Sequence, residues 1–299
     1  LELGMPLVDA IGNNLDNLIN NVPEHYRKDA AALPVATDFT LTGATVNVPG
    51  TEKKAQVGNL TWICHNLWLQ YRFSMDESIL RNTLYPTLRR AVNFYLPFLT
   101  EDKSGKLHLK RTYSPEYGTA EDCNYDIALL RWGCNTLLEA SRILSVDDEL
   151  IPRWKQVAEY LTDYPQDENG MMIGKDVPFS RSHRHYSHLL MFYPLYLLNA
   201  EQNGSKELME KSVEHWHSLP GNILGYTYTG ASSLYAAFGE GDKALEKLNG
   251  LFARTLHPNT MYMESGPVIE TPLSGAQCIH DMLLQSWGGK IRVFPAVPS

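Results

Sequence analysis

The sequence is short of several things, and each shortage removes a class of protein. No apolar run approaches the ~20 residues that cross a bilayer, so no membrane span is expected. Lys and Arg occur singly or in pairs, never as a block, and a formal net charge of -8 leaves no concentrated basic face for nucleic acid. No segment recurs at a fixed period, which disfavours a solenoid. Cysteine is scarce. Cys64, Cys123, Cys134 and Cys278 form no Cys-x-x-Cys pair and keep no regular spacing, so they read as reduced, buried thiols. The opening Leu1-Glu2-Leu3-Gly4-Met5 carries no signal-peptide pattern, and the visible start is expected to be a cut made by processing or cloning.

What remains is ordinary globular composition: 299 residues, 43% apolar and 20% charged, enough for one large domain or two of usual size. The first 58 or so residues are weakly patterned, with Asp38 to Gly50 reading as a long surface loop. Helical apolar spacing then dominates. It predicts helices over Leu60–Phe73, Ser78–Leu99 with Pro86 as a start or kink, Asp126–Leu144, Glu149–Tyr160, Ser187–Asn199, Ser205–Ser218, Gly230–Phe238, Asp242–Phe252 and Ser274–Ser286. Lys106–Arg111 alternates like a short strand, and Lys290–Phe294 reads as another after Gly288-Gly289. Gly239-Glu240-Gly241 reads as a helix stop and restart. The helices recur as hairpins, and the unusual residues collect in the longer connectors. A ring of helical hairpins with its loops converging on one face fits this layout.

Three connectors carry candidate chemistry. Three histidines fall within six residues in His183-Arg184-His185-Tyr186-Ser187-His188. A cluster this polar is costly to bury, so it reads as one wall of a pocket. Its i, i+2, i+5 spacing shares no single face of a helix or strand, and no metal site is expected from it. A network of bracing histidines and a ligand-binding wall both remain open. Tyr113-Ser114-Pro115-Glu116-Tyr117-Gly118 sets one carboxylate among aromatic rings, an environment that favours the protonated form; an ordinary turn glutamate is the alternative. Glu121 and Asp122 read as charges favouring a helix N-terminus. Glu264 to Gly275 reads as a rigid loop punctuated by Pro and Gly, with Glu270 buried among Val268, Ile269 and Leu273. There it would either orient a reacting group or hydrogen-bond loop amides. Trp62, Trp68 and Trp132 lie in helical patterns where core packing is the default, although a tryptophan at a helix end can stack on a sugar ring.

In order along the chain, Asn59-Leu60-Thr61-Trp62-Ile63-Cys64-His65-Asn66-Leu67-Trp68, Ser114-Pro115-Glu116, the histidine segment through Leu189, Met282-Leu283-Leu284-Gln285-Ser286, Gly289-Lys290-Ile291-Arg292 and Phe294-Pro295-Ala296-Val297-Pro298 together resemble glycoside hydrolase family 95. That family contains α-L-fucosidases and α-L-galactosidases. The resemblance runs from about Gln56 to the end.

The resemblance implies an all-α fold of the (α/α)6 toroid type, incomplete here. Residues 1–287 would form part of the catalytic toroid, and 288–299 the first strand of a following β domain. It implies inverting cleavage of an oligosaccharide or glycan, with no cofactor, in a secreted or periplasmic protein. Glu116 would match the general acid. Glu270 would fall where the family has an aspartate that polarises a water-activating asparagine. Arg184 and His185 would match substrate-contacting positions, and Trp62 an aromatic at the sugar site. Here Glu270 stands in place of aspartate, and the usual Gly-Asn-Phe-Gly after it is Thr271-Pro272-Leu273-Ser274. No convincing copy of the family's upstream Asn-x-Asn pair is found. The chain is therefore expected to be the later part of a toroid, lacking the base asparagines. A carbohydrate-binding pseudo-enzyme and a helical interaction module are the alternatives.

Overall fold

Helices dominate, as the apolar spacing predicts, in a computed structural model that describes residues 2–262, 264 and 268–299. None of its helices among the described residues is long and apolar enough to cross a membrane. The chain divides into two units, residues 1–164 and 165–299.

In the first unit, α1 (Met5–Asn13) and α2 (Leu15–Asn20) occupy a stretch where the sequence shows little pattern. Each is short and buries only one or two apolar side chains, Val8 and Ile11 on α1 and Leu18 on α2, too few for a periodicity to stand out. Residues 33–58 are irregular, with Asp38 turning the chain by accepting the amides of Thr40 at 2.8 Å and Thr42 at 3.1 Å. Next, α3 (Asn59–Ser74) buries Leu60, Cys64, Leu67, Trp68 and Tyr71 along one stripe. The single helix expected from Ser78 is instead α4 (Glu77–Ile79), a π turn over Leu80–Leu84 and α5 (Tyr85–Asn93). Pro86 explains the break. It has no N–H for the carbonyl four residues back, and the wider turn before it lets the Tyr85 amide bond to Leu80 instead.

Two small antiparallel hairpins follow. β1 (Leu99–Glu101) pairs with β2 (Leu107–Leu109), and β3 (Thr112–Ser114) with β4 (Gly118–Ala120). The unit closes with α6 (Asn124–Leu144), whose first two turns are buried on every side, and α7 (Ile151–Tyr160). At Gly133 a Cβ would lie 2.6 Å from Val92 Cγ2, so glycine permits the close approach of α6 to α5. Trp154 is fully buried, with its indole N–H on Asn93 Oδ1 at 3.4 Å. Arg89 forks onto Asp148 at 2.6 and 3.3 Å and ties α5 to the loop before α7.

The second unit opens with the two-residue strands β5 (Gln166–Asp167) and β6 (Gly170–Met171) and continues with α8 (Ser205–Ser218), α9 (Gly225–Ala237), α10 (Gly241–Thr255) and α11 (Glu270–Leu283). The last elements are β7 (Leu284–Trp287) and β8 (Lys290–Val293), an antiparallel hairpin. α9 packs against α8, α10 and α11, and small residues (Gly230, Ala231, Ser232, Ser233, Ala236, Ala237) bury nearly its whole surface. Gly239, at φ +80°, makes the expected stop between α9 and α10.

Three readings of this unit change. Ser187–Asn199 is not a helix; a single 3-10 turn covers Ser187–Leu189. Leu189 to Phe192 is fully buried, and an apolar run with no polar face carries no helical signature of its own. Pro194 then removes a donor, and Tyr196 reverses the backbone at φ +50°. The loop expected through Gly275 is helical from Glu270, because Pro272 sits in the first turn, where amides have no helical partner. Finally, Leu284 to Ser286 is strand rather than helix end, paired with the expected strand at 290–293.

Candidate active site

The candidate residues are built in two groups, one in each unit. In the first, Glu116 stands in the turn of the β3–β4 hairpin, closed by the Tyr117 amide on Ser114 O at 2.8 Å. The Pro115–Glu116 peptide is cis. Tyr117 is buried while Glu116 is exposed, so the ring enclosure expected around the carboxylate is not what the hairpin provides. The hairpin is anchored from below. Thr112 and Ser114 point inward and are fully buried against Cys123 and Asp126 at the start of α6. Burial pushes the Cys123 thiol up to about 12. Burial also raises the Asp126 carboxyl to about 7, against the opposing pull of Thr112, Tyr95 and Cys123. The Tyr95 hydroxyl donates to Asp126 Oδ1 at 2.8 Å.

The hairpin is also laced to the segment entering α3, through Tyr113 N–H on Ala55 O at 3.0 Å and Gly50 N–H on Arg111 O at 2.8 Å. That segment leads to Trp62, which is half-buried and packs edge-to-face on Tyr125 at 5.7 Å. Tyr125 in turn donates to Asn59 Oδ1 at 3.2 Å, which also receives Gln56 Nε2 at 2.7 Å. Trp62 is thus held at a helix start with part of its ring open, whereas Trp68 and Trp132 are buried in the core as expected. All four cysteines are free and buried. Asp122 is not a helix-end charge. At φ +45° it turns inward, accepts the Leu109 amide at 2.7 Å and pairs with His108 Nδ1 at 2.7 Å, clamping β2 to the exit of β4.

In the second unit the histidine segment is pinned along its backbone. Trp216 Nε1 donates to His183 O at 2.7 Å, Thr227 Oγ1 donates to Arg184 O at 3.2 Å, and the His185 amide donates to His183 Nδ1 at 3.0 Å. His188 is buried and stacked on Phe179 at 4.4 Å, and burial lowers its pKa to about 3, so it stays neutral. His183 and His188 therefore take bracing positions. Arg184 and His185 are half-buried, with the His185 ring edge-to-face against Tyr226 at 5.6 Å.

Glu270 is the first residue of α11 and is exposed, not buried. A carboxylate at a helix start is favoured there by the amides of the first turn and needs no enclosure. The partnered carboxylate of this region is Glu264, half-buried and bonded by the hydroxyls of Tyr262 and of Thr271, the latter at 3.1 Å. Of the loop expected over Glu264–Gly275, residues 265–267 lie outside the described residues. The structure thus brings Arg184, His185 and Tyr226 together in one unit, with Glu270 near Tyr226, and seats Trp62 and the Glu116 hairpin in the other. Tyr226 and Asp126 escape a sequence reading for different reasons. Tyr226 is one tyrosine among 16, and Asp126 looks like an ordinary helix-start acid.

Comparison with known proteins supplies the wider frame. The chain is 25% identical over 264 residues to alpha-L-fucosidase 2 of Arabidopsis thaliana, covering 80% of this chain and 31% of that protein. It is 23% identical over 230 residues to the probable alpha-fucosidase A of Aspergillus niger, covering 69% of this chain and 28% of that one. The chain thus spans about a third of the length of these relatives. A putative kojibiose phosphorylase from human microbiome superposes with a TM-score of 0.61 at 10% identity, over 93% of this chain and 47% of its own. At that identity the likeness speaks for the fold alone, and it bears out the expected helical-hairpin class of the (α/α)6 type, with short strands at the C-terminal end. The sequence model of the glycosyl hydrolase family 95 catalytic domain matches residues 1–283, nearly the whole chain, and the chain belongs to that family.

Proposed function

We propose that the intact protein containing this chain is an inverting glycoside hydrolase that removes a terminal α-L-fucosyl or related α-L-galactosyl residue from a glycan. The observation that carries this reading is the family match over residues 1–283, supported by the two fucosidase-named relatives. Glu116 is assigned as the general acid that protonates the leaving oxygen. Its exposure on a hairpin anchored to α6 supports the role, because the acid must reach substrate from a fixed base. Trp62, with part of its ring open, is assigned to the apolar face of the sugar. Arg184 and His185, their backbones pinned, are assigned to its hydroxyls. Glu270 is assigned as the carboxylate that polarises a water-activating amide. In an inverting enzyme acid and base stand ~6.5–9.5 Å apart, leaving room for that water. A secreted or periplasmic location is part of the proposal.

The test is Glu116→Gln in the intact protein, assayed on two fucosides. A poor leaving group needs the acid, so its turnover falls on the order of 10²–10⁴-fold, while an activated aryl leaving group loses far less. Unchanged turnover on the poor leaving group removes Glu116 from the role.

The exposed Glu270, followed by Thr-Pro-Leu-Ser in place of Gly-Asn-Phe-Gly, favours a second reading, a carbohydrate-binding protein without hydrolysis. L-Fucose binding by an intact protein that hydrolyses no fucoside would select it.

A further inference from the structure

The starts of α9 and α11 meet at a glycine. A Cβ on Gly225 would lie 2.4 Å from the Tyr262 hydroxyl and 2.9 Å from Thr271 Cγ2, so no larger residue fits between them as they stand. Ser274 Oγ bonds to Thr229 Oγ1 at 2.8 Å one turn further along both helices. This contact brings Tyr226, next to Gly225, close to Glu270, next to Thr271. Burial raises the pKa of the Tyr226 hydroxyl, and the negative charge of Glu270 adds to the rise.

The other side of Tyr226 meets the histidine segment. Its ring lies nearly parallel to Tyr186, at 5.7 Å between centroids and 21° between planes. The His185 ring stands edge-on to it at 5.6 Å and 84°. The neighbouring Thr227 hydroxyl holds the Arg184 carbonyl. One turn of helix therefore supports both residues assigned to sugar hydroxyls, and the same turn touches the element that carries Glu270.

We propose that Tyr226 is a positioning residue of the sugar site: its ring fixes the imidazole of His185. A histidine with a free ring pays rotamer entropy each time it meets a hydroxyl, whereas one held edge-on to a fixed ring does not. The role assigned to His185 rests on the proposed function; the packing of Tyr226 against it does not.

The test is a set of variants of the intact protein, each checked for an unchanged far-UV CD spectrum. Tyr226→Phe keeps the ring and removes the hydroxyl, and Tyr226→Leu removes both. On an aryl fucoside, Tyr226→Leu is expected to lower kcat/KM about tenfold in the parent and less than about twofold in a His185→Ala background. Tyr226→Phe keeps the ring and is expected to stay within about twofold of the parent in kcat/KM. Equal losses in parent and His185→Ala backgrounds overturn the proposal.

The same variants are read without substrate, by NMR of the His185 ring. Tyr226→Leu is expected to shift its ring resonances and average its orientation, and Tyr226→Phe to leave both in place. Unchanged His185 resonances in Tyr226→Leu overturn the proposal even if the protein proves not to be a hydrolase. An intact protein that neither binds nor cleaves fucosides, yet shows the NMR shift, defeats the sugar reading and keeps the positioning role.

Discussion

His108 Nδ1 lies 2.7 Å from Asp122 Oδ2, and its Nε2 lies 3.3 Å from Asp102 Oδ2, so one imidazole bridges two carboxylates. Burial alone would lower the histidine's pKa, but the two acids outweigh it and raise the value above the usual 6.5. A group whose folded value is raised stabilises the fold fully below its unfolded value and stops doing so as pH rises through the folded one. His108→Gln is therefore expected to lower Tm at about pH 5.5 and to cost much less at about pH 9. Thermal melts across that range check it, and an equal deficit at both ends would show that charge plays no part.

Asp126 shifts stability with pH in the same direction, but through a buried neutral acid rather than an ion pair. Its folded pKa, about 7, lies above the ordinary 3.8, so the folded state holds a proton that the unfolded chain has released. Stability from this group is greatest at acid pH and falls as pH rises from about 4 through 7. Asp126→Asn is expected to abolish that fall and to gain on the parent above about pH 7, by roughly 1–3 kcal/mol once the group is no longer ionised in a buried site. Urea melts at both ends of the range would show it. A parent and variant that track each other with pH would refute the buried proton.

Gly133→Ala is expected to be costly despite the good helix propensity of alanine. The new methyl would sit 2.6 Å from Val92 Cγ2, and α5 and α6 would have to part. Overpacking of this kind typically costs about 1–3 kcal/mol, readable as a fall in the denaturation midpoint. A neutral result would mean that Val92 simply changes rotamer.

Trp216→Phe tests the pinning of the histidine segment. It removes the indole N–H that holds His183 O at 2.7 Å. A stability loss of about 1–3 kcal/mol is expected from the lost hydrogen bond and the smaller ring. Sugar affinity should weaken in parallel, measured by calorimetry on the intact protein. Full affinity in a destabilised variant would separate the brace from the binding wall.

Which features the sequence discloses depends on how they are made. α3 and α8 announce themselves through one-sided burial, and the short strand at β2 through alternation. α1 and α2 bury too few side chains to show a period, and Leu189–Phe192 buries too many, leaving no polar face to contrast with. The candidate site follows the same logic. Arg184, His185 and Glu116 stand out because charged residues in aromatic loops are unusual. Glu270 is exposed where its apolar neighbours suggest burial, because such neighbours do not report which way a helix start faces. The clamp at Asp122 and the support at Tyr226 depend on partners 13 and more residues away, which no local pattern records.

α9 has almost no face left for solvent. A surface helix can exchange half its residues without consequence, and insertions beside it are absorbed by water. α9 has no such margin, because any bulk added along its middle must be taken up by α10 and α11 at once. Its sequence is therefore expected to drift slowly among relatives, with glycine, alanine and serine recurring where longer side chains would be tolerated in an ordinary helix. Its first turn has no more room, because Gly225 there abuts Thr271 of α11.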